Sequence, residues 1–496
     1  MARHYGQRHE RGTRLTPFRK VVAALAAATL TGLVGSVATS QGGPVGTSTS
    51  AEVAARAIDI TDGILAAIGM GGTFAVAEGV IQLPAELVIA LDLKLIGAGR
   101  EATVLELHGA PTALRVAPGV RFELEGLTLR YAGDQPADLL LVDGAELVLT
   151  DVALSGAIGG PDAAGAKRFG VGSGIVAADG SSLTLVDTEL TEHGLTGLEL
   201  YGNTTVTMLR GLVSQTSVGF YAQDDVSLEV REVQIINNPF GGLRATGAAT
   251  VLLERSVIHT NGRAHREGAN PDDRSDALRA IENATLKLVG NRILNNERHA
   301  VSADHSARVE SSGNWFEGNG GNHEAESYLI SPVLLAGESY FQSESDTFQG
   351  NPGGTMELAG ASSAQLMNVV MRGNAAWSHL YMAGSTRLDI VNASLEGNEG
   401  AIYVGASARL SMRDSRLTGT SGQDAIIVEG DGQVSLLANL FEGNAYAGIS
   451  FAGASGGVVA FNAFSGNLAA IVVMDDAEPE LRENRMQGNG DDVLRL

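Results

Sequence analysis

Cysteine is absent from this chain of 496 residues. That excludes disulfides, thiolate nucleophiles and cysteine-ligated zinc, and it leaves the redox compartment undetermined. Proline is scarce, 12 residues against 64 glycines, and no glycine period of three runs through the chain. Collagen-like and proline-rich rods are therefore excluded, and the glycines suit a chain that turns often. Basic residues are few, 34 Lys and Arg against 57 Asp and Glu, for a net charge of −23. Such a surface repels nucleic acid and anionic lipid, so neither is an expected partner. Charged residues in total are only 18% against 44% hydrophobic, which excludes disorder for the bulk of the chain.

Long apolar runs are also missing, with one exception. Val21 to Ala38 is apolar, follows a basic segment carrying Arg3, Arg8, Arg11, Arg14, Arg19 and Lys20, and ends in Ser36-Val37-Ala38. This is the pattern of a secretory signal over residues 1–38, or of a membrane anchor if it stays uncleaved. The expected location is secreted, periplasmic or cell-surface, with membrane contact only through residues 21–38. Removing the segment leaves a net charge of −28, since it takes six positive charges and Glu10 from a total of −23. Residues 39–51 read as a flexible linker.

What is present is a repeat. A motif of the form Asn/Asp-x-apolar-x-(x)-Gly-Asn recurs about every 23 residues: Asn314 to Asn319, Asp346 to Asn351, Asn368 to Asn374, Asn392 to Asn398, a degenerate Asp414 to Thr420, then Asn439 to Asn444, Asn462 to Asn467 and Asn484 to Asn489. Earlier corners fall near Gly133, Gly156, Gly194, Thr216, Asn238, Asn261 and Asn296. A fixed period of this size marks a solenoid whose repeats bury their apolar faces only by stacking. Within a coil, period-two alternation predicts three short strands, with Ile449 and Phe451 pointing inward and Ser450 outward. The predicted fold is an all-β, right-handed parallel β-helix of 15–16 coils over 52–496. Asparagine side chains should bond from coil to coil at its corners. A capping helix is expected within 52–70, with Ile64 and Ile68 on its apolar side.

The opening Gly72-Thr-Phe-Ala-Val-Ala-Glu-Gly-Val-Ile-Gln-Leu83, the following Leu95-Ile-Gly-Ala-Gly99 and the Asn-x-Phe-x-Gly-Asn coils resemble the pectate-lyase-like superfamily of parallel β-helices. The resemblance covers about residues 70 to 496 and implies the fold. It leaves the activity open, because this fold hosts lyases, hydrolases, epimerases, esterases, adhesins and phage spikes.

Three long spacings imply insertions after one corner, at Ala157–Gly172, Gly262–Ser275 and Gly320–Ser327, and insertions on one face of a solenoid mark its working side. Aligning the coils predicts an outward ladder beside them: Glu199, Tyr221, Arg244, Arg279, Ser302, Glu357, Tyr381 and Tyr403. Tyrosines suit sugar rings and guanidinium pairs suit carboxylates or sulfates, so Glu199, Tyr221, Arg244, Ser302, Tyr381 and Tyr403 are the expected substrate contacts. Basic residues concentrate from Arg255 to Glu310, where an acidic saccharide could dock. Lyase or epimerase chemistry needs a cation for the enolate and a base for the proton. Arg279, His299, Lys287 and His265 are the catalytic candidates, with Arg292 also available.

Family signatures of activity do not appear. The Asp-Pro-His of mannuronan epimerases is replaced by Asn270-Pro-Asp-Asp273, and polygalacturonase Gly-His-Gly is missing. Glu199 with Asp224 or Asp225 is the available carboxylate pair for a hydrolase. No cofactor is expected. Asp272, Asp273 and Asp276 offer oxygens that calcium could use, and His299, His323 and Glu324 form the one transition-metal cluster worth testing. The expected function is an exported β-helix protein that binds, and could cleave or epimerise, a polysaccharide or cell-surface glycan. The alternative is a non-catalytic surface rod.

Overall fold

The apolar residue at the centre of the repeat motif explains the architecture. Phe316 and Phe348 stack at 4.6 Å and 11°, and Phe441 and Phe464 at 4.6 Å and 7°, each ring fully buried on the ring of the next coil. Burying one such ring stabilises by about 1.5–3 kcal/mol, which no isolated repeat achieves. The computed structural model describes residues 61–83, 86–160, 170–263, 275–321 and 330–496. They form an all-β, right-handed parallel solenoid of about 17 turns. This exceeds the 15–16 coils predicted, because the first rungs, including Leu87–Ile89 and Thr112–Val116, carry no asparagine corner by which to count them.

Two parallel surfaces wrap one apolar shaft. A narrow sheet takes one strand per coil, from Leu87–Ile89 to Asp491–Arg495. A wide 29-stranded sheet takes the rest of each coil. From Arg121–Tyr131 to Ser227–Ile236 this is one long bent strand, such as Ser182–Thr191 or Thr205–Ser214. From Thr250–Glu254 and Val257–His259 onward it is two, as in the opening coils with Gly72–Ala75 and Gly79–Leu83, then Leu93–Ile96 and Thr103–Leu107, so the expected three short strands hold at both ends and not between. A left-handed residue marks the bend in both forms, for example Arg210 at φ 48° and Asn368 at φ 56°.

That bend corrects the reading of the motif. Asn314, Asp346, Asn439, Asn462 and Asn484 lie just after the bend, where Asn314, Asn439 and Asn462 each make backbone and side-chain bonds to the next coil. In the copies that are one residue longer, Asn368, Asn392 and Asp414 are themselves the left-handed residue, at φ 53–56°. Asparagine and aspartate tolerate that conformation, so the same letters serve two positions.

The closing asparagine forms the corner ladder. Asn296 donates its main-chain and side-chain N–H groups to Asn319 Oδ1 at 3.1 and 2.9 Å, and Asn374 does the same to Asn398 at 3.0 Å each. Every buried amide in such a stack is satisfied from the coils beside it. At the N-terminal end a helix spans 61–70, with Ile64 and Ala67 buried against the first rungs and Ile68 packed on the core. The expected helix residues before 61, like residues 1–51, lie outside the described residues. Among the described residues no helix is long and apolar enough to cross a membrane.

Candidate functional site

The three predicted insertions leave the same edge. Each joins a wide-sheet strand to a narrow-sheet strand: Glu146–Ser155 to Ile175–Ala178, Val257–His259 to Leu278–Ala280, and Trp315–Glu317 to Val333–Leu335. Beside them the narrow sheet holds the predicted ladder in register. Glu199 pairs with Tyr221, Tyr221 with Arg244, Arg244 with Arg279 and Arg279 with Ser302. Leu334 follows Ser302, a rung the sequence alignment skipped, and then come Glu357, Tyr381 and Tyr403.

These side chains alternate with core residues such as Leu278 and Ala280, so they stand on the outer face. The ladder is nevertheless not an open surface. Glu199, Tyr221, Arg279 and Ser302 are buried, Arg279 to 6% exposure. Polar neighbours account for part of this. Ser173 Oγ donates to Glu199 Oε2 at 2.6 Å, the Tyr201 hydroxyl donates to the other oxygen, and Ser302 Oγ donates to Asp276 Oδ2 at 2.6 Å. Tyr201 and Tyr221 meet edge to face at 5.9 Å, and the Tyr221 hydroxyl reaches Gln223 at 2.7 Å.

The same network gives Glu199 a carboxyl companion, though not Asp224 or Asp225. Asp138 Oδ1 accepts the backbone N–H groups of Gly172 and Ser173 at 2.7 and 2.8 Å, and Ser173 links it to Glu199. Burial holds the Asp138 pKa above its ordinary value despite those two bonds. Burial, followed by the Glu199 charge, keeps Tyr201 protonated far beyond the usual phenol range. The pair with its two tyrosines could manage a proton on a bound ligand.

The catalytic set proposed from sequence is not one cluster. Arg279 is on the narrow sheet. Lys287 is on the wide sheet, paired in register with Leu252 and Glu310 and 3.4 Å from the Glu310 carboxylate. Arg292 is also on the wide sheet, beside Trp315. Period-two patterning places a residue on a strand but not on a particular sheet, which is why the grouping failed. His299 is buried at the corner, with Nδ1 2.5 Å from the Ser331 carbonyl oxygen. His265 lies outside the described residues.

Several cations of the expected basic window are paired with carboxylates. Arg255 meets Glu232 at 3.1 Å, Arg263 meets Glu297 at 2.8 Å, and Arg308 meets Glu310 at 2.7 Å. Among the described residues no group of three His, Asp or Glu is placed to hold a metal. Asp272, Asp273, His323 and Glu324 lie outside them.

A second feature of the ladder was legible only in half. Tyr381 and Tyr403 stack at 5.1 Å and 5°, and Trp377, 54% exposed at the preceding corner, tilts against Tyr403 at 5.4 Å. The Tyr403 hydroxyl donates to Glu429 at 2.9 Å, and burial together with that carboxylate pushes its pKa up to about 12. Trp377 was missed because it sits in a turn, outside the strand alignment. A tryptophan at the corner residue before two aligned tyrosines was the available signal.

A family model described as the right handed beta helix region matches residues 168–376 and 378–494. The chain belongs to that family. Solved structures with a similar course include tailspike protein 3 of bacteriophage CBA120, at TM-score 0.45 and 9% identity, over 73% of this chain and 58% of that one. The chain thus spans less than two thirds of the tailspike. Others are gene product 12 of bacteriophage phi29, at 0.43 and 11% over 87% and 71%, and the periplasmic alginate epimerase AlgG, at 0.36 and 11% over 87% and 88%. No curated protein matches the chain in sequence.

Proposed function

We propose that this is an exported β-helix protein that binds a polysaccharide along the outer face of its narrow sheet. The observation that carries the reading is the aromatic platform of Trp377, Tyr403 and Tyr381, partly open to solvent on the same narrow-sheet ladder as Glu199 and Tyr221. Sugar rings present C–H faces to such surfaces, and hydroxyls bond the carboxylates beside them. Because the two tyrosines stack on each other, Trp377 offers the freest ring face. The export signal over residues 1–38 belongs to the same reading.

If the chain also transforms its ligand, the groups in position are Glu199, Asp138 and Tyr201 rather than Arg279 with Lys287. A second reading, a non-catalytic rod, is favoured by one specific observation: several cations of the basic window are already paired with carboxylates. Affinity electrophoresis of the full chain through gels containing soluble polysaccharides tests the proposal. Retardation that depends on Trp377 supports it, and free migration through every polymer opposes it.

A further inference from the structure

In thirteen consecutive coils, from the one whose narrow-sheet strand is Thr196–Leu200 to the last, the corner before that strand contains one left-handed residue, immediately before the corner ladder position. In the eight later coils that residue is glycine: Gly318, Gly350, Gly373, Gly397, Gly419, Gly443, Gly466 and Gly488, all at φ 57–67°. In five consecutive earlier coils it is Glu192, Gln215, Asn237, Thr260 and Asn295, at φ 49–59°. The backbone is the same in both sets, so glycine would serve it better in all thirteen. Asparagine tolerates such angles. Glutamine and glutamate tolerate them poorly, and a β-branched threonine there is a true outlier. Strain kept in an unbroken block of coils points to a use for the side chains.

Their position agrees. The block runs from the first insertion past the second, and Gln215 and Asn237 line an open groove of about 520 Å³ with Ser217, Pro239 and Arg263. Glu192, Gln215, Asn237 and Asn295 are exposed. Successive coils advance by about 4.8 Å, close to the length of one pyranose unit, so the row offers one polar group per sugar to a chain lying along the solenoid axis. Amides and a hydroxyl both donate and accept. The one carboxylate is Glu192, and the Arg263 guanidinium is already engaged by Glu297 at 2.8 Å.

We propose that Glu192, Gln215, Asn237, Thr260 and Asn295 form a row of subsites for a neutral, hydroxyl-rich polysaccharide running parallel to the solenoid axis. This rests on the polysaccharide-binding reading above and adds the polymer's charge class, its direction and a second contact line.

The test is the Gln215→Gly, Asn237→Gly double variant of the full chain. Affinity electrophoresis would use dextran, laminarin and xyloglucan as neutral probes, with polygalacturonate and chitosan as charged ones, and Tm would be read in parallel. The expected result is a neutral-glucan affinity at least tenfold weaker, with Tm unchanged or raised because glycine relieves the left-handed strain. Unchanged affinity overturns the row while leaving the polysaccharide reading standing. A fall in Tm also overturns it, since the side chains would then serve the fold. Binding of the wild-type chain to a charged polymer alone overturns the neutral class. Failure of the wild-type chain to bind any probe overturns both the row and the reading beneath it.

Discussion

Asn319 Oδ1 accepts two hydrogen bonds from Asn296, one from its backbone N–H at 3.1 Å and one from its side-chain amide at 2.9 Å, inside a stack that water does not reach. Asn319 in turn gives its own amide to the Ile293 carbonyl at 2.6 Å. Replacing Asn319 with alanine strands two buried donors and one acceptor. A loss of about 3 kcal/mol is expected, from 1–3 kcal/mol per unsatisfied group with partial relaxation. Asn489→Ala, at the half-buried final corner, should cost clearly less. Chemical denaturation of the two variants checks the order.

Core and surface phenylalanines should separate as sharply. Phe348 is fully buried on Phe316, so Phe348→Ala is expected to lose about 3–5 kcal/mol. Phe461 is an exposed residue at φ 57° at the bend of the wide sheet. Phe461→Gly should stabilise by about 1 kcal/mol, because a left-handed backbone penalises any side chain. Thermal unfolding of both variants measures the contrast.

Asp346 replaces asparagine in the inner ladder, and burial raises its pKa despite bonds from Ser343 Oγ and the Asn314 backbone N–H, both at 2.6 Å. A carboxyl whose folded pKa is raised favours the fold while protonated. That contribution is present below the unfolded pKa and lost as pH rises through the folded value. Asp346→Asn should therefore raise stability at neutral pH, and the gain should shrink as pH falls into the acid range. Stability curves of wild type and variant across pH decide this, and a gain that grows in acid would contradict it.

His193, at a corner, and His379, in the narrow-sheet strand Ser378–Met382, are buried histidines whose pKa values burial depresses to about 3 and about 4. A neutral ring is favoured in the fold, so their stabilisation is present above the unfolded histidine pKa and lost as pH falls toward those values. His379→Gln should flatten the decline of stability between pH 6.5 and 4. Urea titrations within that interval measure the slope.

Much of the fold was legible because stacking makes one residue type recur. The corner asparagines, the first four strands from Gly72 to Ile96 and the register of Glu199 through Tyr403, apart from the Leu334 rung, follow from period and alternation. Four things did not. The split of the motif between an inner and a left-handed position is invisible because asparagine and aspartate suit both. The burial of Arg279 and Glu199 depends on segments far along the chain, such as Ser173 on Glu199, which no strand pattern encodes. The separation of Lys287 from Arg279 needs the assignment of strands to sheets. Trp377 lies in a turn, where alternation says nothing.

The most direct measurement of the central claim compares wild type, Trp377→Ala and Lys287→Ala by affinity electrophoresis in neutral glucan gels. Wild type and Lys287→Ala should be retarded alike, and Trp377→Ala should bind at least tenfold more weakly, about 1.4 kcal/mol, with an unchanged Tm. Equal retardation of Trp377→Ala and wild type would contradict the account.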